Sequence, residues 1–504
     1  MMRSFSQQIP IILKGDVHVL VAFGIDTYKS VAGRKEMTVT TDTALISHLM
    51  RRAGFGAAHE EIEAYAEMGY EATVEKLLDP ESEPAVDKYS LMRRHPITEV
   101  PGGASGPGQA NWLYFMLNTK RPLQEKMTLF WHHVFATGNA KVDNCNHLLD
   151  QISMLREEGM GNYRTMLLNL ARDPAMIFWL DNNENHKNAP NENWGRELLE
   201  LFSLGVGNYT ETDVFECSRA FTGWTIGAKM PRYPYGRHPW TFEFRAEDHD
   251  YSEKTFLGRT GNFDGEDIID IILDQKACSQ FIARHLYSFF VEDEPQVPAW
   301  NIEEPRNPEA VSYLADLLVE SGYEIKPVLR ALFNSNFFKD SAYKRVKSPV
   351  EVVVGTLRLV EDVKGADPRL ESTAREPGYM GQDILDPPSV EGWHTGREWI
   401  NSGALVKRVN FVSDRMSDPE LPGVKKIIAR IADTAESMSP EALVESCLDE
   451  MGPLPVKHET REELVSHARE QGDLSWDNNS YRESAVRAGE MLALIASTRE
   501  YQFG

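Results

Sequence analysis

The chain has 504 residues, 41% of them hydrophobic, which is enough to bury a large core and, by length alone, to form about two to four domains. Its charge is one-sided, because 53 Lys and Arg face 77 Asp and Glu and give a formal net charge of -24. A protein that binds nucleic acid or anionic membranes regardless of sequence needs a basic face to neutralise phosphates. The composition therefore argues against nucleic acid as a partner.

The N-terminal segment, residues 1–40, is interpreted as an extension that is disordered or uncleaved. Its apolar runs at 9–13 and 17–23 are interrupted by Lys14, Gly15 and Asp16, which makes a poor signal-peptide core. The lack of a convincing signal peptide favours a cytoplasmic location. No run of about 18 apolar residues occurs, so no transmembrane segment is predicted.

The four cysteines lie far apart and form no CxxC pair. This spacing predicts neither a disulfide framework nor a thiolate zinc site, and buried free thiols are expected. The four residues are Cys145, Cys217, Cys278 and Cys447.

From Thr41 onward the apolar residues recur with a helical period. The first predicted helix carries Leu45 and Leu49 on one side and stops at Gly54. Helical patterns continue over 59–79 and 111–138, separated by a Gly- and Pro-rich loop at 100–109 that looks like a flexible insertion. We expect helix to follow helix through this part of the chain.

The segment 121–137 contains two adjacent histidines on a predicted helix. Glu125, Leu129 and His132 fall on one stripe, whereas His133 lies about 100° further round. Adjacent histidines on a regular helix do not both face one target. One of the two is therefore expected to be a core residue or to support a site indirectly.

The densest polar segment is 190–225. If a helix begins at Pro190, Asn193, Arg196, Glu197 and Glu200 share one face. The alternative is a solvated face with ordinary i,i+4 ion pairs around Arg196. A second helix is predicted from Glu211 through Trp224, folded back by the short GVGNY link.

The clearest break from helix is the stretch 240–261, which alternates polar and aromatic residues and predicts a small β-hairpin. Asp248, His249 and Asp250 lie together within it, and alternation would aim the two aspartates to one side and His249 to the other. Helices resume afterwards to the end of the chain. The predicted fold is mainly α, a large single-domain multi-helical bundle over 41–504 with its C-terminal part, about 415–504, packed on the rest.

Carboxylates with an imidazole are the ligands of a divalent metal, and they also serve as general acid and base in hydrolysis. No HExxH, GxSxG, P-loop or dinucleotide fingerprint occurs. Many of the ten tryptophans lie in or beside the polar segments, where flat rings could bind sugars or could simply fill the core. These tryptophans are Trp112, Trp131, Trp179, Trp194, Trp224, Trp240, Trp393 and Trp399.

Several long motifs resemble one bacterial family, the domain of unknown function 1800. They include RPLQEKMTLFWHHVFAT from Arg121, PNENWGRELLELFSLGVGNYTETDV from Pro190 and DPPSVEGWHTGREWINSGALVKRVNF from Asp386, and the resemblance spans roughly residues 42–504. It implies a helical fold without an established activity. Relatives are often exported, and they are often encoded beside a family that resembles alkaline phosphatases. The resemblance therefore implies a function in the cell envelope or outside the cell.

The leading functional hypothesis is a hydrolase or metal-assisted enzyme acting on a carbohydrate or an envelope polymer. Its predicted catalytic residues are Glu197, Glu200, Asp248 and His249. The predicted substrate-binding residues are Asn193, Arg196, Trp194, Trp224 and Trp393. A divalent metal is expected at His132, Glu197, Asp248 and His249.

Two alternatives remain open. One is a non-catalytic binding or scaffold protein in which the same charges form a buried ion-pair network. The other is a haem or redox protein that uses His132 or His133 as an axial ligand, although no CxxCH motif is present.

Overall fold

A computed structural model describes residues 7–12, 18–23, 40–99, 104–228 and 239–504 of the chain. Helices dominate this part of the protein. The helices of the first half are α1 (Thr40–Ala53), α2 (His59–Met68), α3 (Tyr70–Leu78), α4 (Lys88–Arg94), α5 (Ser105–Asn118), α6 (Pro122–Val134), α7 (Asn139–Val142), α8 (Cys145–Glu158), α9 (Tyr163–Ala171), α10 (Pro174–Trp179), α11 (Asn193–Glu197) and α12 (Glu211–Ala220).

The second half is also mainly helical. Its helices are α13 (Gly265–Leu273), α14 (Lys276–Phe290), α15 (Pro308–Glu320), α16 (Ile325–Asn334), α17 (Asn336–Lys339), α18 (Pro349–Val360), α19 (Leu370–Ala374), α20 (Glu376–Tyr379), α21 (Ser402–Met416), α22 (Pro422–Thr434), α23 (Pro440–Glu450), α24 (His458–Glu470) and α25 (Tyr481–Ser497).

The β-structure consists of small antiparallel pairs. The strands are β1 (Gln7–Ile12) with β2 (His18–Phe23), β3 (Trp224–Ala228) with β4 (Trp240–Phe244), β5 (Lys254–Phe256) with β6 (Arg259–Gly261), and β7 (Ser437–Met438) with β8 (Leu474–Ser475). The predicted mainly α fold with a small hairpin is therefore confirmed.

The predicted hairpin over 240–261 is in fact divided between two hairpins. Strand β4 pairs with β3, which precedes it in the chain, and Trp224 lies opposite Phe244. Strand β5 pairs with β6 across a turn of two residues. In that turn Leu257 has φ +46° and Gly258 has φ +77°, as a tight turn between two strands requires. The pairing of β3 with β4 also ends the second predicted helix early, at Ala220 instead of Trp224.

Helix α11 does not continue as a regular helix. It passes at Leu198 into a π-helical segment, Leu198–Ser203, in which the N–H of Leu204 donates to the carbonyl of Leu199 over 2.9 Å. A π-helical turn holds an extra residue and rotates the side chains that follow it. The predicted common face of this helix is therefore altered after Glu197.

The C-terminal part packs on the remainder through α25, which lies against α21 and α23. The last residues form main-chain hydrogen bonds with the link before α18, because the N–H of Lys347 donates to Gln502 and the N–H of Gly504 donates to Arg345. A separate small apolar cluster lies nearby, formed by Val346, Trp393 and Trp399.

The four cysteines are buried free thiols, as expected. In the ranges that the structure covers, no helix has both the length and the apolar character to cross a membrane. Of the predicted N-terminal extension, the structure describes the β1–β2 hairpin and Thr40; the other residues, and with them the expected disorder, lie outside the described residues.

Candidate functional site

Glu197, the last residue of α11, is a half-buried carboxyl without a hydrogen-bond partner in the described part of the chain. Burial, together with the neighbouring charges of Glu200 and Glu391 and against the opposing effect of Arg196, raises its pKa from the usual 4.5 to about 7. A carboxyl with this pKa is partly protonated at neutral pH. It can therefore both donate and accept a proton there.

Glu200 lies three residues later, in the π-helical segment. The hydroxyl of Tyr209 donates to its Oε2 over 2.8 Å. Burial and this carboxylate raise the pKa of Tyr209 well above its usual range, so the phenol keeps its proton and remains a donor. Tyr209 is held in place by the start of α12, where Thr210 and Asp213 form a reciprocal N-terminal cap.

Glu391 comes from a distant part of the sequence, the link between α20 and α21, and lines a small cavity of about 30 Å³. His133, His285, Trp300 and Trp393 line the same cavity. The ring of His133 stacks on Trp393 with a centroid separation of 6.1 Å. Burial lowers the pKa of His133 to about 4, with a smaller contribution from Arg345, so its imidazole is neutral at physiological pH.

A larger cavity of about 510 Å³ lies on the other side of Trp300, which lines both cavities. The Trp300 ring packs against His285 at a centroid distance of 4.6 Å, and the guanidinium of Arg284 lies 4.6 Å from the same ring. Asn208 lines the larger cavity and directly precedes Tyr209. Asn208 therefore links the wall of this cavity to the Tyr209–Glu200 pair through the chain.

His132, a predicted metal ligand, is fully enclosed. Its ring lies 5.3 Å from those of Trp112 and Trp393, and neither ring nitrogen has a hydrogen-bond partner among the described residues. Burial lowers its pKa to about 3. With 0% of its surface exposed, it offers no open side on which a haem could bind.

The predicted substrate-binding residues on α11 have other partners. Asn193 donates to Asp181 over 3.2 Å, and Arg196 forms ion pairs with Glu192 and Glu211 at 3.1 and 2.7 Å. Arg196 therefore behaves as the solvated alternative predicts, although its charge still acts on Glu197.

The predicted aromatic platforms differ in their surroundings. Trp194 and Trp224 are 2% and 5% exposed and pack on Phe221 from two sides, so they belong to the core. Trp393 is also buried, at 2%, but its edge lines the small cavity beside Glu391. Of the three, Trp393 alone lies beside the carboxylate group.

Asp248 and His249 lie in a separate cluster. Oδ2 of Asp248 is 2.5 Å from Nδ1 of His186. Burial raises the pKa of Asp248, but the hydrogen bonds and charges of His186 and Lys187 together lower it below its usual value. His249 is buried, and its Nδ1 donates to the carbonyl of Thr222 over 2.8 Å. The segment 246–248 is a 3-10 turn and not a strand, so the predicted alternation does not hold there.

The four predicted metal ligands do not converge. Within the described ranges, no group of three or more His, Cys, Asp or Glu side chains is arranged to hold a metal ion. Glu197 lies with Glu200 and Glu391, whereas Asp248 lies with His186. The present donors do not fit a metal centre, and the expected divalent metal remains a prediction.

Sequence reasoning missed Tyr209, Glu391, His285 and Trp300. Tyr209 lies in the GVGNY link, and Glu391 precedes Gly392 and Trp393 in the motif that begins at Asp386. Both residues therefore belong to motifs that carry the family resemblance. His285 and Trp300 carry no comparable signal in the sequence. Glu391, His285 and Trp300 lie together only through folding of segments that are far apart in the chain, whereas Tyr209 is nine residues from Glu200.

A family model described as "Protein of unknown function (DUF1800)" matches residues 48–503. No curated protein and no solved structure matches the chain.

Proposed function

Because the chain belongs to the DUF1800 family, whose description names no activity, we propose its function from the site itself: a hydrolase that cleaves a carbohydrate or an envelope polymer by acid–base catalysis. Glu197 is the proposed general acid and Glu200 the proposed base. The proposal depends on one observation, the unpaired, half-buried carboxyl of Glu197 with its pKa raised to about 7 beside a second carboxylate.

The chemistry requires two carboxyl groups in different protonation states. Glu197 gives its proton to the leaving oxygen as the bond to the polymer breaks, while Glu200 accepts a proton from the water that forms the new bond. Paired carboxyls whose environments differ are the usual means of placing an acid and a base in one site at neutral pH. The hydrogen bond from Tyr209 fixes one oxygen of Glu200.

A carbohydrate is favoured as substrate by the walls of the neighbouring cavity. Its volume of about 510 Å³ is in the range of small-molecule sites, and Trp300 supplies a flat ring. Asn208, Gln280 and Asn301 offer amide groups that can hydrogen-bond sugar hydroxyls. The net charge of -24 disfavours a strongly anionic polymer.

The scaffold alternative predicts charges that are sealed and balanced. The protein does contain such a network, centred on Glu351 with Lys126 and Arg345. Glu197 does not belong to it, because its carboxyl is half-exposed and unpaired. An unpaired acid of raised pKa, close enough to Glu391 of the small cavity to be affected by its charge, is the feature expected of an active site.

The test is release of reducing ends from a panel of neutral polysaccharides and peptidoglycan by the purified full-length chain. We expect Glu197→Gln and Glu200→Gln each to lower kcat by a factor of about 100 or more. Glu483→Gln, an identical change on the exposed surface of α25, is the matched control and should retain wild-type activity.

The pH profile provides a second measurement. Wild-type activity should fall as the pH rises through about 7, where Glu197 loses its proton. Full activity of Glu197→Gln on a polymer that the wild type cleaves, or no cleavage of any polymer by a folded wild type, would contradict the proposal.

A further inference from the structure

A third pocket, of about 70 Å³, shares no lining residue with either of the cavities described above. Three parts of the chain meet there. Ser47 and Arg51 come from α1, Lys347 from the link before α18, and Gly452 and Tyr501 from the C-terminal part. The pocket therefore lies where the C-terminal part joins the rest of the protein.

Two cations face this pocket without a carboxylate partner in the described part of the chain. The two terminal nitrogens of Arg51 donate to the carbonyl of Gly452 and to the hydroxyl of Tyr343, both over 2.9 Å, and its buried Nε has no partner. Nζ of Lys347 donates to the carbonyl of Tyr501 over 2.7 Å and lies 4.0 Å from the centre of that ring. Neutral oxygens bind both cations but do not balance their charge.

The carboxylates that line the pocket are already paired. Glu351 accepts hydrogen bonds from Lys126 and Arg345. Glu450 accepts from Arg430 through both of its oxygens, at distances of 2.6 to 3.1 Å. Both acids therefore hydrogen-bond to other cations, although the charge of Glu351 still acts on Lys347.

Further cations lie behind the pocket. Arg52 is 1% exposed and donates to two main-chain carbonyls, while Arg408 is 0% exposed and donates to Gln502 and to a main-chain carbonyl. The charge of Asp293 acts on Arg52 without a direct ion pair between the two among the described residues. A protein with a net charge of -24 thus concentrates several cations at one place, where the charge of Glu351 acts on Lys347, Arg52 and Arg408 together.

Uncompensated buried charge is unfavourable unless a counter-ion binds. Burial lowers the pKa of Lys347 well below its usual range, and the nearby arginines lower it further. A bound anion would reverse this effect, because it would stabilise the protonated amine and give the free Nε of Arg51 an acceptor.

A polar group and open space complete the site. Oγ of Ser47 is buried, lines the pocket and has no hydrogen-bond partner among the described residues. Gly452 lies opposite with φ +82°, and a side chain at that position would begin 3.3 Å from Arg51 Nη1 and 3.4 Å from Ser47 Oγ. The glycine therefore keeps clear the space between these two groups.

We propose that this pocket binds a tetrahedral oxyanion of the phosphate type through Arg51, Lys347 and Ser47. A cavity of about 70 Å³ holds one such group and excludes a nucleotide. The anion joins α1, the link before α18 and the C-terminal part through charge-assisted hydrogen bonds. It acts as a structural ligand, independently of the proposed hydrolytic site.

The experiment measures the Tm of the full chain in inorganic phosphate, sulfate, glycerol phosphate and chloride at equal ionic strength. We expect phosphate or sulfate to raise the Tm of the wild type by several degrees over chloride, because a ligand that binds only the folded state stabilises it. A stronger effect of glycerol phosphate identifies a phosphate ester as the better ligand, and a weaker effect identifies the free anion; both support an oxyanion site.

Variants assign the effect to the pocket. Arg51→Met and Lys347→Met should abolish the phosphate-dependent rise, and Ser47→Ala should weaken phosphate binding measured by calorimetry. Lys364→Met removes an exposed lysine whose side chain is 63% accessible, and should behave as the wild type. Equal Tm values of the wild type in phosphate, sulfate, glycerol phosphate and chloride overturn the inference. If Arg51→Met does not fold, Ser47→Ala still tests the inference. An affinity for phosphate equal to that of the wild type would show that phosphate does not bind in this pocket.

Discussion

The hydroxyl of Tyr209 donates a hydrogen bond to Oε2 of Glu200 over 2.8 Å. This contact crosses from the link before α12 to the π-helical segment after α11 and fixes the carboxylate beside Glu197. The two neighbouring acids are therefore not equivalent: one is held by a donor, and the other is unpaired.

Tyr209→Phe removes this donor and leaves the ring in place. We expect a loss of roughly 1 kcal/mol in the free energy of unfolding, as for other single hydrogen bonds, together with reduced turnover on any polymer that the wild type cleaves. Urea denaturation and reducing-end release measure the two effects. Tyr313→Phe, at a ring that is 48% exposed, should change neither quantity.

Glu197→Gln should make stability less sensitive to pH. The native state keeps the Glu197 proton up to a pKa of about 7, whereas the unfolded chain loses it near 4.5. The free energy of unfolding of the wild type therefore falls as the pH rises between these values, and it loses nothing further from Glu197 above them. Allowing for solvent screening, the variant should be more stable than the wild type by roughly 1 to 2 kcal/mol at about pH 8, with no gain at about pH 4. An equal difference at both pH values would contradict the assignment.

His132→Leu should remove a source of acid sensitivity. The pKa of His132 is about 3 in the native state and near the usual 6.5 in the unfolded chain. As the pH falls below 6.5, the unfolded chain therefore binds a proton that the native state does not bind, and the native state loses stability. The free energy of unfolding of the variant minus that of the wild type should be larger at about pH 5 than at about pH 8 by roughly 2 kcal/mol. Unfolding by urea at the two pH values measures this. His458→Leu, at an exposed histidine, should show no such change.

Glu351→Gln should be strongly destabilising, because it leaves Lys126 and Arg345 buried without their shared carboxylate. We expect a loss of roughly 3 to 5 kcal/mol, measured in buffer without phosphate or sulfate. The matched control is Glu75→Gln, which breaks a half-exposed pair with Arg330 and should cost less than about 1 kcal/mol. Similar losses for the two variants would show that the buried network contributes no more than a surface pair.

The sequence by itself predicted the features that depend on local pattern. Helical periodicity identified α1 and the helices that follow it, and the spacing of Glu197 and Glu200 marked them as neighbours three residues apart. Local pattern was less informative about pairing. Strand β4 was expected to pair with a later strand of the same stretch, but it pairs with the earlier β3, and Phe242 of β4 packs against Trp224 of β3 with ring centroids 5.3 Å apart.

The site was decided by tertiary structure. Whether a carboxyl is paired depends on which distant segments approach it. Asp248 is hydrogen-bonded to His186, whereas the carboxyl of Glu197 has no hydrogen bond and is affected by two other acids, one of them Glu391 nearly two hundred positions away. No period or motif encodes that difference.

The oxyanion pocket shows the same division. Each of its cations could be read from the chain, but a lysine or arginine in a sequence is by default a solvated surface residue. Only the folding of the C-terminal part over α1 brings the half-buried Arg51 and Lys347 together, beside acids that hydrogen-bond to other cations. Sequence determined the helices and their polar residues, and tertiary structure determined which charges lost their water, because desolvation depends on everything packed around a group and not on its neighbours in the chain.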